Sequence, residues 1–176
     1  MMMLFGTLIG IIVAQRGIEL VVAKNNERWM REKGAREFGE SHYKWIVVMH
    51  ASFFLILIAE VFMLEKSAIT WWALPFTIFL LAQAGRIWAL TSLGRYWNTK
   101  IIVLPGAKLV KKGPYRWLSH PNYAIVTIEF LVIPLIFEAY LTCILFTLLN
   151  GLILLKVRIP EEEKALGWAT EQVGNK

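Results

Sequence analysis

Five apolar runs separated by short polar stretches make up most of the chain. They cover residues 2–22, 45–64, 69–90, 123–137 and 141–155. A helix of about 20 mostly apolar residues is long enough to cross a bilayer, and the first three runs have that length. The last two are shorter and only the sequence EAY separates them. The pattern therefore predicts an all-α integral membrane protein with about five transmembrane helices, the last two forming a helical hairpin.

The composition supports the membrane class. Hydrophobic residues make up 57% of the 176 residues and charged residues only 18%, against about 45–50% and 25% in soluble domains. The length predicts one domain. The single cysteine, Cys143, lies in an apolar run, which excludes a disulfide framework and a cysteine metal site. The first run lacks a basic segment and a small-residue cleavage site, so we expect a retained span rather than a signal peptide.

The basic residues are distributed unevenly between the loops. They concentrate between runs one and two, between runs three and four, and after run five, whereas the opposite loops contain only Lys66. The positive-inside rule then predicts an outside N-terminus, and it predicts that both long loops and the C-terminus are cytoplasmic. This topology accounts for most of the net charge of +6, so we expect no nucleic-acid partner.

One polar stretch, GPYRWLSHPNY at residues 113–123, leads into the fourth apolar run. Its prolines restrict the loop, and Asn122 is a residue type that caps helices, so we expect a helix beginning near Tyr123. A lone histidine more often has a packing role, but His120 stands beside Arg116 and two tyrosines. This set of neighbours favours binding of a polar ligand.

A second polar stretch, RIPEEEKAL at residues 158–166, follows the fifth run. If the helix continues through it, Arg158 and Glu162 lie four residues apart on one face. Pro160 disfavours a straight continuation, and it would also suit the start of a new helix with glutamates in its first turn. An arginine beside acidic residues at a membrane surface can hold an anion and a cation. A solvated, charge-paired helix end is the alternative, and these residues alone leave both open.

Polar residues also interrupt the apolar runs. Arg16 and Glu19 share a helix face near the predicted cytoplasmic end of the first run. Arg86 approaches the same side from the third run, and we expect it to pair with Glu19 or Glu129. A structural polar pair is favoured for these residues over a place in the site. Glu60 lies nearer the outer end of the second run, so we exclude it from the site.

Several of these stretches together resemble the isoprenylcysteine carboxyl methyltransferase family, which consists of integral-membrane enzymes that use S-adenosylmethionine. The resemblance rests on GRIWALTSLGRYWNTKI, LVKKGPYRWLSHPNY, the later PL at Pro134 and Leu135, and RIPEEEKAL. The stretch NNERWMREKGAREFGESHY at residues 25–43 is similar to a bacterial branch that acts with type III polyketide synthases and O-methylates alkylpyrones or long-chain phenolic lipids. The resemblance implies one membrane methyltransferase domain over residues 1–176 in a bacterial cell membrane, with N-terminal helices in 1–90 and a cofactor-binding part in 91–176.

The resemblance also implies site residues, on the cytoplasmic side and without a metal. Arg158 would orient the substrate, and Arg158 and Glu162 would be the catalytic residues. The chain departs from the family at Ser119, where an arginine is usual, and Arg116 is the candidate substitute. The residues implied to bind S-adenosylmethionine, or S-adenosylhomocysteine as product, are Gly113, His120, Pro121, Asn122, Tyr123, Ile128, Ile133, Pro134, Leu135, Ile136 and Glu162.

Methyl transfer is a direct displacement at a sulfonium carbon, which depends on alignment more than on acid or base groups. A carboxylate or an acidic pyrone enol is already a nucleophile at neutral pH. This chemistry agrees with what the resemblance implies, namely an O-methyltransferase acting on a small lipophilic anion such as an alkylpyrone, with the bilayer and a type III polyketide synthase pathway as partners. The mixed-charge segment 25–43 is a candidate lid. The alternatives are carboxyl methylation of a prenylcysteine, a membrane reductase that binds NADPH through Lys111, Lys112 and Arg116, and a non-catalytic lipid-binding protein.

Overall fold

The computed structural model describes residues 2–174. Most of this chain is helical, with one pair of short strands within the described residues. The elements are α1 (Met2–Glu32), β1 (Arg36–Phe38), α2 (Glu40–Met63), α3 (Ala73–Leu93), β2 (Ile101–Val103), α4 (Pro121–Ile136), α5 (Tyr140–Ile153) and α6 (Ile159–Gly174).

Within residues 2–174, four helices are long and apolar enough to cross a membrane, namely Met2–Glu32, Glu40–Met63, Ala73–Tyr96 and Tyr140–Glu171. The helix α4 is apolar but has only 16 residues, about 24 Å at the helical rise of 1.5 Å per residue. That is less than the hydrocarbon thickness of about 30 Å. The structure thus supports a multi-pass membrane protein with four such helices, and the shorter α4 packs against α3 and α5.

The helices run alternately between two ends of a bundle. At one end the Phe5 ring contacts the rings of Phe137 and Phe62, with centroids 4.8 and 6.0 Å apart. At the same end the backbone N–H of Ile69 donates to the carbonyl of Ile136 at 3.0 Å. The start of α1, the end of α2, the start of α3 and the turn between α4 and α5 therefore meet here, which we name the Phe137 end.

Aromatic packing joins the helices in the bundle interior. The centroid of the Phe53 ring in α2 lies 4.4 Å from that of Phe130 in α4 and 5.5 Å from that of Phe146 in α5. Apolar side chains such as Ile18 and Leu81 are instead 66% and 67% exposed on the outer surface. Bilayer lipid would cover such residues in a membrane protein.

Glu60 stabilises the start of α5 near the Phe137 end. Its carboxylate accepts hydrogen bonds from the backbone N–H groups of Leu141 at 3.1 Å and Thr142 at 2.8 Å. These N–H groups belong to the first turn of a helix, where no intrahelical acceptor exists. Glu60 thus has a structural role far from the stretch GPYRWLSHPNY, as its exclusion from the site predicts.

The opposite end of the bundle, which we name the His120 end, carries a small cap. Strands β1 and β2 pair antiparallel, with Arg36 opposite Val103 and Phe38 opposite Ile101. The helix α6 packs on this pair through Ala165 and neighbouring residues. The two-stranded sheet is the exception to the all-α prediction.

The segment 25–43, the candidate lid, is not a loop in the structure. Its first part is the end of α1, its middle is β1, and its last part begins α2. Asn26 further fixes α1 by donating to the carbonyl of Trp97 at 2.8 Å. Charged residues of this segment form part of the last turns of α1, and pairing with β2 holds β1 in place. The expectation of a loop here is wrong for that structural reason, and the role of the segment as a lid stays a prediction.

Pro160 is accommodated without breaking the chain into separate helices. A π-helical turn over Leu154–Arg158 links α5 to α6, and the N–H of Ile159 bonds to the carbonyl of Leu154, five residues back. Proline cannot donate to the carbonyl four residues earlier and clashes with it in an α-helix. In the wider π turn that precedes Pro160, each N–H bonds instead to the carbonyl five residues earlier. The helix therefore continues, and residues 158–166 remain one helical stretch.

Candidate active site

Tyr123 lies at the centre of the polar group at the His120 end. Its hydroxyl donates to the carboxylate of Glu162 and accepts a hydrogen bond from Nε of Arg158 at 3.0 Å. The Nη2 group of Arg158 donates to the backbone carbonyl of Thr99 at 2.7 Å. Arg158 is buried, and these two bonds fix its guanidinium group. The two predicted catalytic residues are thus brought together by one tyrosine.

His120 completes this group from the start of α4. Its ring lies nearly parallel to the ring of Tyr123, with the centroids 5.3 Å apart. Its Nδ1 is 3.5 Å from Oε2 of Glu162, and its Nε2 is 4.0 Å from Oε1 of Glu163. Hydrogen bonding to Glu162 raises the pKa of His120 above its ordinary value of 6.5, against an opposing effect of burial. The imidazolium form is therefore favoured beside the carboxylate.

The local sequence explains why α4 starts where it does. His120 precedes the helix and Pro121 occupies its first turn, where the missing proline N–H costs no helical hydrogen bond. Asn122 therefore lies inside the helix, and the prediction that it caps α4 is wrong. Its Oδ1 is instead buried without a hydrogen-bond partner among the described residues. A buried acceptor in this state is suited to a donor supplied by a ligand.

Gly113 has a packing explanation. Its φ is +59°, and a Cβ atom there would lie 1.9 Å from Oγ and 2.8 Å from Cβ of Ser92 in α3. Only glycine adopts this conformation readily and leaves that space free. The structure brings Gly113 against α3 rather than into the group around Tyr123. Arg116 is exposed and lies over the Trp117 ring, 5.7 Å from its centroid.

The remaining predicted cofactor residues lie deeper in the bundle. Ile128 packs among apolar side chains of the interior. Ile136 is thirteen residues after Tyr123, about 20 Å away along a helix that rises 1.5 Å per residue. Residues Ile133, Pro134 and Ile136 are buried at the Phe137 end, and Leu135 is half-buried there. The structure therefore does not bring Ile133, Pro134, Leu135 and Ile136 together with Glu162, although all were predicted to share one cofactor pocket.

A cleft of about 670 Å³ adjoins the site. Thr99 and Tyr43 line it, and the Tyr43 hydroxyl lies 3.1 Å from Oγ1 of Thr99. Thr99 also accepts the hydrogen bond from Arg158, so a single residue separates the cleft from the guanidinium group. Lys24 and Arg28 line the cleft as well, which makes it suitable for an anion. Sequence reasoning did not identify Thr99 or Tyr43, because the contact to Arg158 is made by a backbone carbonyl that no side-chain pattern marks.

The polar residues inside the bundle form a second group. The carboxylate of Glu129 accepts hydrogen bonds from Gln83 at 2.6 Å, Arg86 at 2.5 Å and Arg16 at 2.6 Å. Glu19 accepts from Arg16 at 2.6 Å and from Arg86 at 3.4 Å. Arg86 therefore pairs with both carboxylates rather than with one. The structural polar pair favoured from sequence is present, in the larger form of a network that joins α1, α3 and α4.

Similarity to known proteins extends over nearly the whole chain. The protein YpbQ of Bacillus subtilis (strain 168), described as uncharacterized, is 53% identical over 163 residues, which cover 93% of this chain and 96% of YpbQ. An uncharacterized protein of Haemophilus influenzae is 27% identical over 156 residues, which cover 88% of this chain and 90% of that protein. The profile of the isoprenylcysteine carboxyl methyltransferase (ICMT) family matches residues 72–167. This range contains α3, α4 and α5. It also contains the four polar side chains that meet in the candidate site, which are His120, Tyr123, Arg158 and Glu162. The chain belongs to the ICMT family of membrane methyltransferases.

Proposed function

We propose that this chain is an S-adenosylmethionine-dependent O-methyltransferase of a bacterial cell membrane, acting on a lipophilic anionic acceptor such as an alkylpyrone or a similar long-chain lipid. The observation that carries the proposal is the hydroxyl of Tyr123 between the guanidinium of Arg158 and the carboxylate of Glu162. A buried cation and a carboxylate held side by side suit a reaction between an anionic acceptor and a cationic donor.

The residues around Tyr123 fit the cofactor chemically. S-adenosylmethionine carries an ammonium group, ribose hydroxyls and a positively charged sulfur, which favour acceptors or negative charge. It also carries a carboxylate, to which a protonated His120 could donate. Glu162 offers a carboxylate, and Asn122 offers a buried carbonyl oxygen with no partner among the described residues. When bound, the cofactor supplies a methyl group on its sulfonium sulfur. Glu162, Asn122 and His120 are the residues that would hold it.

Arg158 is suited to orient the acceptor. Its Nε and Nη2 atoms bond to Tyr123 and Thr99, and Nη1 has no hydrogen bond among the described residues. An acceptor oxygen bound at Nη1 would be kept in a fixed direction, because the other two bonds hold the guanidinium plane. An enolate or carboxylate needs no base, so alignment is the main contribution that these residues make.

The cleft beside Thr99 favours an acceptor with a charged head and an apolar chain. Lys24 and Arg28 supply positive charge, and Leu20 and Ala23 supply apolar surface on the same helix. An alkylpyrone enolate has this combination, as does a prenylcysteine carboxylate. A type III polyketide synthase is the class of enzyme that would supply the former.

Calorimetric titration of the detergent-purified protein with S-adenosylhomocysteine tests the cofactor assignment. We expect micromolar binding, weakened at least about tenfold by Glu162→Ala and unchanged by Glu171→Ala, which removes an exposed carboxylate from the same helix. Binding of NADPH in place of S-adenosylhomocysteine would overturn the proposal in favour of the reductase.

The acceptor class is tested separately by transfer of a radiolabelled methyl group. A long-chain alkylpyrone, an alkylphenol and an S-farnesylcysteine derivative are compared at equal concentration. We expect the alkylpyrone to be methylated fastest, because its acidic enol is ionised at neutral pH whereas a phenol, with a pKa of about 10, is not. Preferential methylation of the farnesylcysteine carboxyl group would replace the acceptor proposed here with the prenylcysteine alternative.

A further inference from the structure

A groove of about 470 Å³ lies between α1 and α3, away from the group around Tyr123. Its volume is within the range of about 300–1,000 Å³ that is typical of small-molecule sites. Ile18 and Ile87 on its walls are 66% and 61% exposed, so bilayer lipid has direct access to it. Its apolar walls include Ile11, Ile18, Ile87 and Leu90, and its polar floor includes Glu19 and Arg86.

The polar floor is part of the network around Glu129. Gln15 and Gln83, which also line the groove, are joined by a hydrogen bond of 2.9 Å. Arg16 and Arg86 supply two positive charges and Glu19 and Glu129 supply two negative charges. The network is therefore balanced, and a further full charge beside it would be buried without a counterion. A ligand of this groove should carry an uncharged polar group.

One donor in the network remains open. The Nε atom of Arg86 is buried and has no hydrogen-bond partner among the described residues, and the Arg86 side chain is only 3% exposed. Its two other nitrogens bond to Glu19 and Glu129. A buried donor without an acceptor is costly and rare, and an oxygen atom that enters the groove could satisfy it. A purely structural network that only joins helices gives no reason for this open donor.

We propose that the groove between α1 and α3 binds a membrane lipid or lipid-like molecule whose apolar chain carries an uncharged acceptor oxygen, such as a ketone or ester carbonyl. The apolar chain of the ligand lies along Ile18 and Ile87, and its oxygen accepts a hydrogen bond from Arg86. The site is separate from the proposed methyl-transfer site around Tyr123 and does not depend on that activity.

Photolabelling of the full-length protein in detergent, without cofactor, tests this proposal. The probe is a diazirine derivative of methyl undecyl ketone, and the competitors are methyl undecyl ketone, tridecane and tridecanoate. We expect labelled peptides from α1 and α3, and competition by the ketone at concentrations about tenfold lower than by the alkane, since the ketone adds a hydrogen bond to a charged group. Equal competition by ketone and alkane, or stronger competition by tridecanoate, would overturn the proposal.

Two variants make the result specific. Ile87→Trp should fill the groove and remove the labelling, whereas Leu81→Trp changes an equally exposed position of α3 outside the groove and should leave it unchanged. Equal labelling of both variants would contradict the site. Arg86→Lys keeps the charge but removes Nε, so it should abolish the preference for ketone over alkane. Thermal unfolding confirms that each variant is folded, and Ile87→Trp retains the test if Arg86→Lys does not fold.

Discussion

Nε of Arg158 donates a hydrogen bond to the hydroxyl of Tyr123 at 3.0 Å, and this bond connects the end of the π-helical turn to the first turn of α4. The same hydroxyl donates to Glu162. A phenol can accept from a guanidinium and donate to a carboxylate at once, so one oxygen fixes the separation of two opposite charges. Tyr123 is therefore the residue on which the geometry of the site depends.

Removing the hydroxyl oxygen of Tyr123 should weaken cofactor binding without abolishing it. We expect Tyr123→Phe to weaken S-adenosylhomocysteine binding about tenfold, because hydrogen bonds to charged groups each contribute about 1.5–3 kcal/mol. Calorimetry measures the change. Tyr140→Phe is the matched control, since Tyr140 lies at the Phe137 end and should bind as the wild type does. Unchanged affinity in Tyr123→Phe would show that the bridge has no part in cofactor binding.

Arg158→Lys should separate acceptor alignment from cofactor binding. A lysine keeps the positive charge but cannot bond to Tyr123 and Thr99 while presenting a third nitrogen in a fixed plane. We expect kcat for methyl transfer to the best acceptor to fall at least about tenfold, with a smaller effect on S-adenosylhomocysteine affinity. Steady-state kinetics and calorimetry on the same preparation provide both values. A variant that loses cofactor affinity to the same extent would assign Arg158 to the cofactor instead.

His120 should make the stability depend on pH. Because Glu162 raises the pKa of His120 in the folded protein, the folded state holds this proton more tightly than the unfolded chain. The resulting stabilisation is fully present below the ordinary pKa of 6.5 and is lost as the pH rises through the higher folded-state value. The difference in Tm between wild type and His120→Asn should therefore be larger at about pH 6 than at about pH 9.

Glu162→Gln provides the control for this titration. It removes the carboxylate that raises the pKa of His120 while keeping a similar side-chain shape. In that background, His120→Asn should produce nearly the same change in Tm at both pH values. A pH-dependent difference that persists in Glu162→Gln would mean that another group causes it.

The apolar runs predicted where the apolar helices lie along the chain but not where each helix ends. The first run ends at residue 22, yet α1 continues to Glu32. An i, i+4 hydrogen bond of 2.9 Å from Arg31 to Glu27 supports this extension in a polar environment. Hydropathy indicates where the bilayer ends, and a helix that leaves the bilayer has no reason to stop there. The strands β1 and β2 have only three residues each and come from distant segments, so no local pattern could reveal them.

The candidate site was predictable where side chains carry the chemistry. His120, Tyr123, Arg158 and Glu162 come from two polar stretches that follow or precede apolar runs, and the structure brings these four together. Ile133 and Ile136 were assigned to the cofactor pocket by resemblance alone. A sequence resemblance does not show how far along α4 a residue lies from Tyr123. The network around Glu129 was predicted as a pair, because sequence spacing cannot show that three helices converge on one carboxylate.

Gly113 and Gly106 offer a direct test of why glycine is needed before His120. Both have positive φ angles, +59° and +79°, but a Cβ at Gly106 would meet no atom within 4 Å, whereas one at Gly113 would lie 2.8 Å from Cβ of Ser92. Each alanine variant should lose about 1–3 kcal/mol of stability through backbone strain, and Gly113→Ala should lose about 1–3 kcal/mol more through overpacking.

The unfolding free energy of each variant measures this difference. Ser92→Gly should recover part of the additional loss in Gly113→Ala, because it removes both Ser92 atoms that the new methyl group would meet. The same change should recover nothing in Gly106→Ala. If Gly113 instead contacts the cofactor, Gly113→Ala would lose S-adenosylhomocysteine affinity that Ser92→Gly does not restore. Equal stability of Gly113→Ala and Gly106→Ala would contradict the close approach of this turn to α3.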